Sequence, residues 1–238
     1  MGKYFILYNN ETNLDIDLLI RDRPSKPSPE MEYEEVKVPG GKTLYREKGY
    51  KDIDIPISFN FLSKKSFEWD KDFRRVKKWL LSKVDNRLKF ADDFEVYYKV
   101  NKVTIDTPER ILKKLGRFDV TFTCEPYVYI DNDEIELNTV LYNDYLVSKP
   151  IYRVVGEGNL TLNINNKVIK ANVGQELTID TDKGLCYREG IIDNVALEGK
   201  YEDMYLLEGE NTFSWSGGFK IYIIPNLSAY NDRNIFKN

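Results

Sequence analysis

Phe73, Val76, Trp79, Leu80 and Val84 fall at the three-and-four spacing of a single helix face. The spacing predicts an amphipathic helix over about 70–84. Asp70 is its expected N-cap, and Arg74, Arg75, Lys77 and Lys78 fall on the wet side. Elsewhere the period is two. Ile53, Ile55, Ile57, Phe59 and Phe61 share one face of the strongest predicted strand, and Val120, Phe122 and Cys124 share one face of another. Residues 87–90 and 94–100 read as a hairpin joined across Ala91-Asp92-Asp93. Shorter strands are expected at Tyr4–Tyr8, at Leu14–Ile20 and at Tyr33–Val38. The last of these follows a proline-punctuated extended lead-in (Pro24, Pro27, Pro29) and precedes a Pro39-Gly40-Gly41-Lys42 turn. Leu44 to Lys51 reads as turn and loop.

The second half changes character. An acidic run, Asp131-Asn132-Asp133-Glu134, opens a stretch that reads as a connector up to Lys149-Pro150, with room for one strand within it. Short strands then recur between turns: 160–164 and 168–170 across Asn165-Asn166-Lys167, 176–179 and 185–187 across Asp180–Gly184, and 212–215 and 219–224 across Ser216-Gly217-Gly218. That recurrence indicates a β-sandwich or jelly roll. The polar tail, 231–238, is expected to fray. The reading is thus mainly β with one prominent helix: an N-terminal domain over 1–135, a connector over 136–150 and a C-terminal sandwich over 151–238.

Composition narrows the chemistry. The 238 residues include 17 Tyr and 12 Phe, which suits a β-rich core, and the net charge of −4 argues against nucleic-acid recognition. No apolar run reaches membrane-spanning length, and the first residues do not read as a secretory signal. With no histidine in the chain, a His-based triad and the commonest transition-metal ligand are both excluded. Pro39-Gly40-Gly41-Lys42-Thr43 ends like a phosphate-binding loop, but Val36 stands where the first glycine is needed and no helix is expected to follow. Asp180–Gly184 and Asp131–Glu134 each carry only part of a calcium-loop ligand set. Cys124 sits on an inward strand face, as a buried free thiol. Tyr201, Tyr205, Trp215 and Tyr222 could stack on sugars or fill a core. No catalytic residue, cofactor or metal site is assigned.

The order of features resembles the distal tail proteins of long, flexible-tailed (siphovirus) bacteriophages, over nearly the whole chain. The resemblance rests on Arg23-Pro24, Val38-Pro39-Gly40, Gly49–Ile53 and Ile55–Phe59, then on Lys78-Trp79-Leu80 and Leu88–Asp93. Tyr97–Val100, Phe118–Tyr127, Ile179–Thr181, Gly209–Thr212 and Ile223–Asn226 complete it. It implies an N-terminal ring-forming domain, assembled as a homohexamer below the tail tube, and a galectin-like C-terminal sandwich. It further implies a structural, non-enzymatic virion component, made in the host cytoplasm, whose partners are the tail tube protein, the tail-associated hub protein and receptor-binding proteins. For the ring, Glu30 to Tyr50 is the expected inter-subunit arm, with Tyr33, Val36, Val38, Tyr45 and Tyr50 as contact residues; an ordinary hairpin within one subunit is the alternative. A carbohydrate-binding module or β-sandwich enzyme acting on cell-wall polysaccharide is the rival function, and a tail-like bacteriocin component shares the same physics.

Overall fold

The structure is a computed structural model, and it describes residues 3–65, 67–82 and 84–230. The expected tail at 231–238 lies outside the described residues. The chain divides into two compact units, one of residues 1–129 with 230–238, the other of residues 130–229.

The first unit contains β1 (Ile6–Tyr8), β2 (Glu11–Thr12), β3 (Leu18–Ile20), β4 (Met31–Lys37), β5 (Thr43–Tyr50) and β6 (Ile53–Leu62). After these come α1 (Trp69–Leu81), β7 (Arg87–Phe90), β8 (Asp93–Ile105), β9 (Glu109–Arg110) and β10 (Leu115–Ile130). Its main sheet runs β2-β1-β7-β8-β10-β6-β3, with β9 also on β10. The predicted face of β6 is buried, and it meets the inward face of β10 residue for residue: Ile55 opposite Phe122, Ile57 opposite Val120, Phe59 opposite Phe118.

The helix lies on that face. Trp69, Phe73, Val76, Trp79 and Leu80 are its buried residues. Phe61 stacks on Phe73 at 5.7 Å, and Phe73 meets Phe118 edge-on at 5.2 Å. Burial of this order stabilises by about 1.5–3 kcal/mol for each large side chain. Two expectations need correction. The helix is capped at Glu68, so Asp70 lies inside the first turn, where with Asp72 it complements the helix dipole. Val84 lies beyond the end of α1 and is 71% exposed. The helix stops early because Asn9 takes its last carbonyls: Nδ2 donates to Trp79 O at 2.7 Å and to Ser82 O at 3.0 Å.

Three further differences are local. Only Leu18–Ile20 of the expected 14–20 strand is extended, because Thr12–Asp17 closes as turns held by Asp15 and by the left-handed Asp17. Thr43–Tyr50 is a full strand, β5, in place of the expected loop. The stretch 136–150, expected as a connector, supplies strands to the second unit.

Those strands are β11 (Ile135–Glu136) and β12 (Val140–Asn143). They are followed by β13 (Ile151–Ile164), β14 (Lys167–Asp180), β15 (Leu185–Arg188), β16 (Ile191–Ile192), β17 (Leu197–Glu198), β18 (Gly209–Ser216) and β19 (Lys220–Ile224). β13 and β14 form one hairpin paired along all 14 residues of each. It bends where Gly156 and Gly158 have positive φ and Gln175 adopts φ 68. Before the bend β13 pairs with β19; after it, with β18. The bend thus sends the two halves into different layers while Tyr152, Val154, Leu160, Leu162 and Ile164 all point into one core.

Candidate functional site

Among the described residues of the first unit, β4 and β5 stand apart as a two-stranded sheet of their own. Their turn follows from sequence. Pro39 fixes φ at the second turn position, Gly40 supplies φ 74 at the third, and Gly41 N donates to Val38 O at 2.9 Å. Lys51 N donates to Glu30 O at 2.9 Å and closes the base. Pairing runs Tyr33–Glu47, Glu34–Arg46, Glu35–Tyr45, Val36–Leu44 and Lys37–Thr43, with a bulge between Glu32 and Tyr33.

Directly opposed residues share a side, so the hairpin has two different faces. One carries Tyr33, Glu35, Lys37, Thr43, Tyr45 and Glu47; the other carries Val36 and Leu44 with the Glu34–Arg46 pair. Both are wet. Tyr33 is 54% exposed, Tyr45 64% and Leu44 58%, and Val36 and Val38 are exposed too. Tyr50, at the base, is half-buried and packs instead on Tyr230 and Tyr127, at 5.0 and 6.5 Å between ring centres. Of the five residues expected at a subunit contact, four therefore lie together on exposed ribbon, and Tyr50 belongs to an aromatic anchor within its own chain.

The other sequence candidates find quieter places. The Pro39–Thr43 segment is a hairpin turn followed by a strand, with no helix N-terminus to meet a phosphate. At Asp180–Gly184 the buried Asp180 carboxylate accepts from Lys183 N at 3.0 Å and Lys183 Nζ at 2.8 Å, which makes it a turn clamp. Among the described residues no group of three or more acidic or cysteine side chains is placed to hold a metal ion. Trp215 and Tyr201 pack against the core of the second unit, Trp215 Nε1 donates to Phe219 O at 3.1 Å, and the Arg153 guanidinium covers the Tyr222 ring at 4.4 Å. These aromatics are half-buried and engaged by their own chain. Cys124 and Cys186 are buried free thiols; burial pushes both up, Cys186 to about 11. Among the described residues no helix is long and apolar enough to cross a membrane.

Sequence reasoning missed the asparagines that hold the first unit together. Asn13 is fully buried, accepts from Ile6 N at 2.8 Å and donates to Leu18 O at 2.9 Å. Asn9 ties β1 to the end of α1, and Trp79 Nε1 returns the tie to Tyr8 O at 2.8 Å. Asn9 directly follows the strand expected at Tyr4–Tyr8, and nothing in its local sequence marks it as the cap of a helix 70 residues on.

No protein-family model matches the chain, and no curated protein matches it. Solved structures do. The Dit protein (gp 19.1) of phage SPP1, described as a paradigm of the hub adsorption apparatus in phages infecting Gram-positive bacteria, superposes with a TM-score of 0.67 at 12% identity, over 96% of this chain and 99% of that one. A chain of the phage P2 baseplate in its activated conformation with calcium gives 0.58 at 10% identity, over 94% and 98%. The strontium form of that baseplate gives 0.58 at 11%, over 93% and 97%. Nearly end to end, the chain has the fold of a phage distal tail and baseplate hub protein.

Proposed function

We propose that the chain is a structural component of a phage tail, closing head-to-tail into a six-membered ring at the distal end of the tail tube. The ring would join the tube to the hub and receptor-binding proteins of the tip. Two findings support this reading. The fold is that of a protein described as part of a hub adsorption apparatus, across nearly all of both chains. The observation that carries it is the β4–β5 hairpin, a ribbon with tyrosine side chains exposed on one face and apolar side chains exposed on the other. Isolated two-stranded ribbons are marginal in water, so such a ribbon needs a surface to lie on. In a head-to-tail assembly the neighbour supplies it.

No step of this role requires catalysis, and the exposed contact residues, not a pocket, do the work. The second unit, a sandwich around one apolar core, would serve as the platform for the other tail proteins. The test is to remove residues 33–48, leaving Glu32 joined to Gly49, and to weigh the purified particle by native mass spectrometry. The deletion is expected to leave a folded monomer where the full chain gives a hexamer. An unchanged hexamer would overturn the hairpin's role.

A further inference from the structure

The neighbour's receiving surface can be identified from charge. In a chain of net charge −4, α1 carries Lys71, Arg74, Arg75, Lys77 and Lys78 against Asp70 and Asp72, five positive to two negative. Lys71, Arg74 and Lys78 recur at three- and four-residue spacing and so form one stripe along the exposed side. Arg75 is occupied by Asp15 O at 2.9 Å, and Lys77 lies over the Phe73 ring at 5.0 Å. The three stripe residues have no ion pair among the described residues, and Leu81, one turn beyond Lys78, leaves its side chain 58% exposed.

The hairpin offers the matching surface. On its tyrosine face Glu35 and Glu47 are exposed, diagonal across the ribbon, and likewise have no ion pair among the described residues; Lys37 shares that face at the turn end, which leaves it one negative charge in excess. Its other face neutralises itself by setting Glu34 opposite Arg46. Diagonal positions on a ribbon lie about 7–8 Å apart, and successive stripe positions on a helix about 5–6 Å. Flexible lysine and arginine stems span that difference. Tyr33 and Tyr45 add area on which an arginine stacks and a leucine packs.

We infer that the Tyr33–Glu35–Tyr45–Glu47 face of one subunit's hairpin docks on the Lys71–Arg74–Lys78 stripe of α1 in a second copy of this chain. The inference rests on the ring reading and names the two surfaces that meet in it. They are different surfaces of the same unit and both face solvent within one chain, which is the requirement for a head-to-tail contact. Complementary stripes of this kind fix register and partner choice more than raw affinity.

A charge swap tests it. One variant carries Glu35→Lys and Glu47→Lys; the other carries Lys71→Glu, Arg74→Glu and Lys78→Glu. All five positions are exposed, so both variants keep the native circular dichroism spectrum. Expected are hexamers for the unaltered chain, monomers for each variant alone, and hexamers of strictly alternating composition, three copies of each, when the variants are mixed in equal amounts. Hexamers from either variant alone overturn this pairing and leave the ring reading standing. Variants that stay monomeric when mixed, beside an unaltered chain that forms hexamers, overturn the pairing as well. An unaltered chain that is monomeric, with the mixture monomeric too, overturns the ring reading itself.

Discussion

Asn9 shows how much of the first unit hangs on single polar side chains. Its amide donates to two carbonyls at the end of α1, and its Oδ1 accepts from Asp85 N at 3.1 Å, while its own backbone takes φ 50. Asn9→Ala leaves the buried Trp79 carbonyl without its donor and puts alanine, which tolerates the left-handed region less well than asparagine, at φ 50. The expected loss is about 1–3 kcal/mol, read from the urea midpoint at unchanged slope. Next to it, burial pushes the Asp85 carboxyl up, but hydrogen bonds from the Arg87 side chain and backbone outweigh that, and the carboxyl is held below its ordinary value of 3.8. A depressed carboxyl contributes stability that is present above 3.8 and lost as the pH falls through the lowered value. Asp85→Asn is therefore expected to be less stable than the parent at neutral pH and to converge with it in strong acid. Parallel pH–stability curves would contradict this. None of it was legible beforehand, because an asparagine cap looks like any other polar residue until the helix end arrives beside it.

Elements whose signal is periodic were legible; those whose signal is a bend were not. The β6 face and the α1 stripe follow from alternation and from 3.6-residue spacing, and both bury the expected residues. Trp69 escaped because it precedes the supposed cap at Asp70, and Val84 was included because spacing alone does not mark where a helix stops. β5 read as a loop because Arg46-Glu47-Lys48-Gly49 has no apolar alternation; a ribbon wet on both faces does not need one. The turn end of the β13–β14 hairpin was read, as 160–164 and 168–170 joined across Asn165-Asn166-Lys167, but its continuation beyond the bend was not, and that bend depends on glycine. A β-carbon at Gly156 would lie 2.5 Å from Phe219 Cδ1, on a backbone at φ 150. Gly156→Ala is expected to cost about 1–3 kcal/mol, measured as a lowered urea midpoint. A neutral result would show that Phe219 can move aside.

At the scale of the whole molecule, the sequence carried its architecture through order more than through motif. Each quoted segment is an ordinary strand or turn, yet their succession pointed to the distal tail fold that the structural superposition over 96% of the chain bears out. What the order of elements could not convey is which surfaces are left over once the units have folded. The cores of the two units account for most of the large apolar side chains on β6, α1, β10 and β13–β14. They leave unexplained a tyrosine-bearing ribbon and a basic helix face, and the proposed assembly would give both a purpose. Negative-stain microscopy of the purified full-length chain tests that account most directly. It predicts closed annuli with six-fold symmetry in end-on views; single particles of monomer size at every protein concentration, or open filaments, would contradict it.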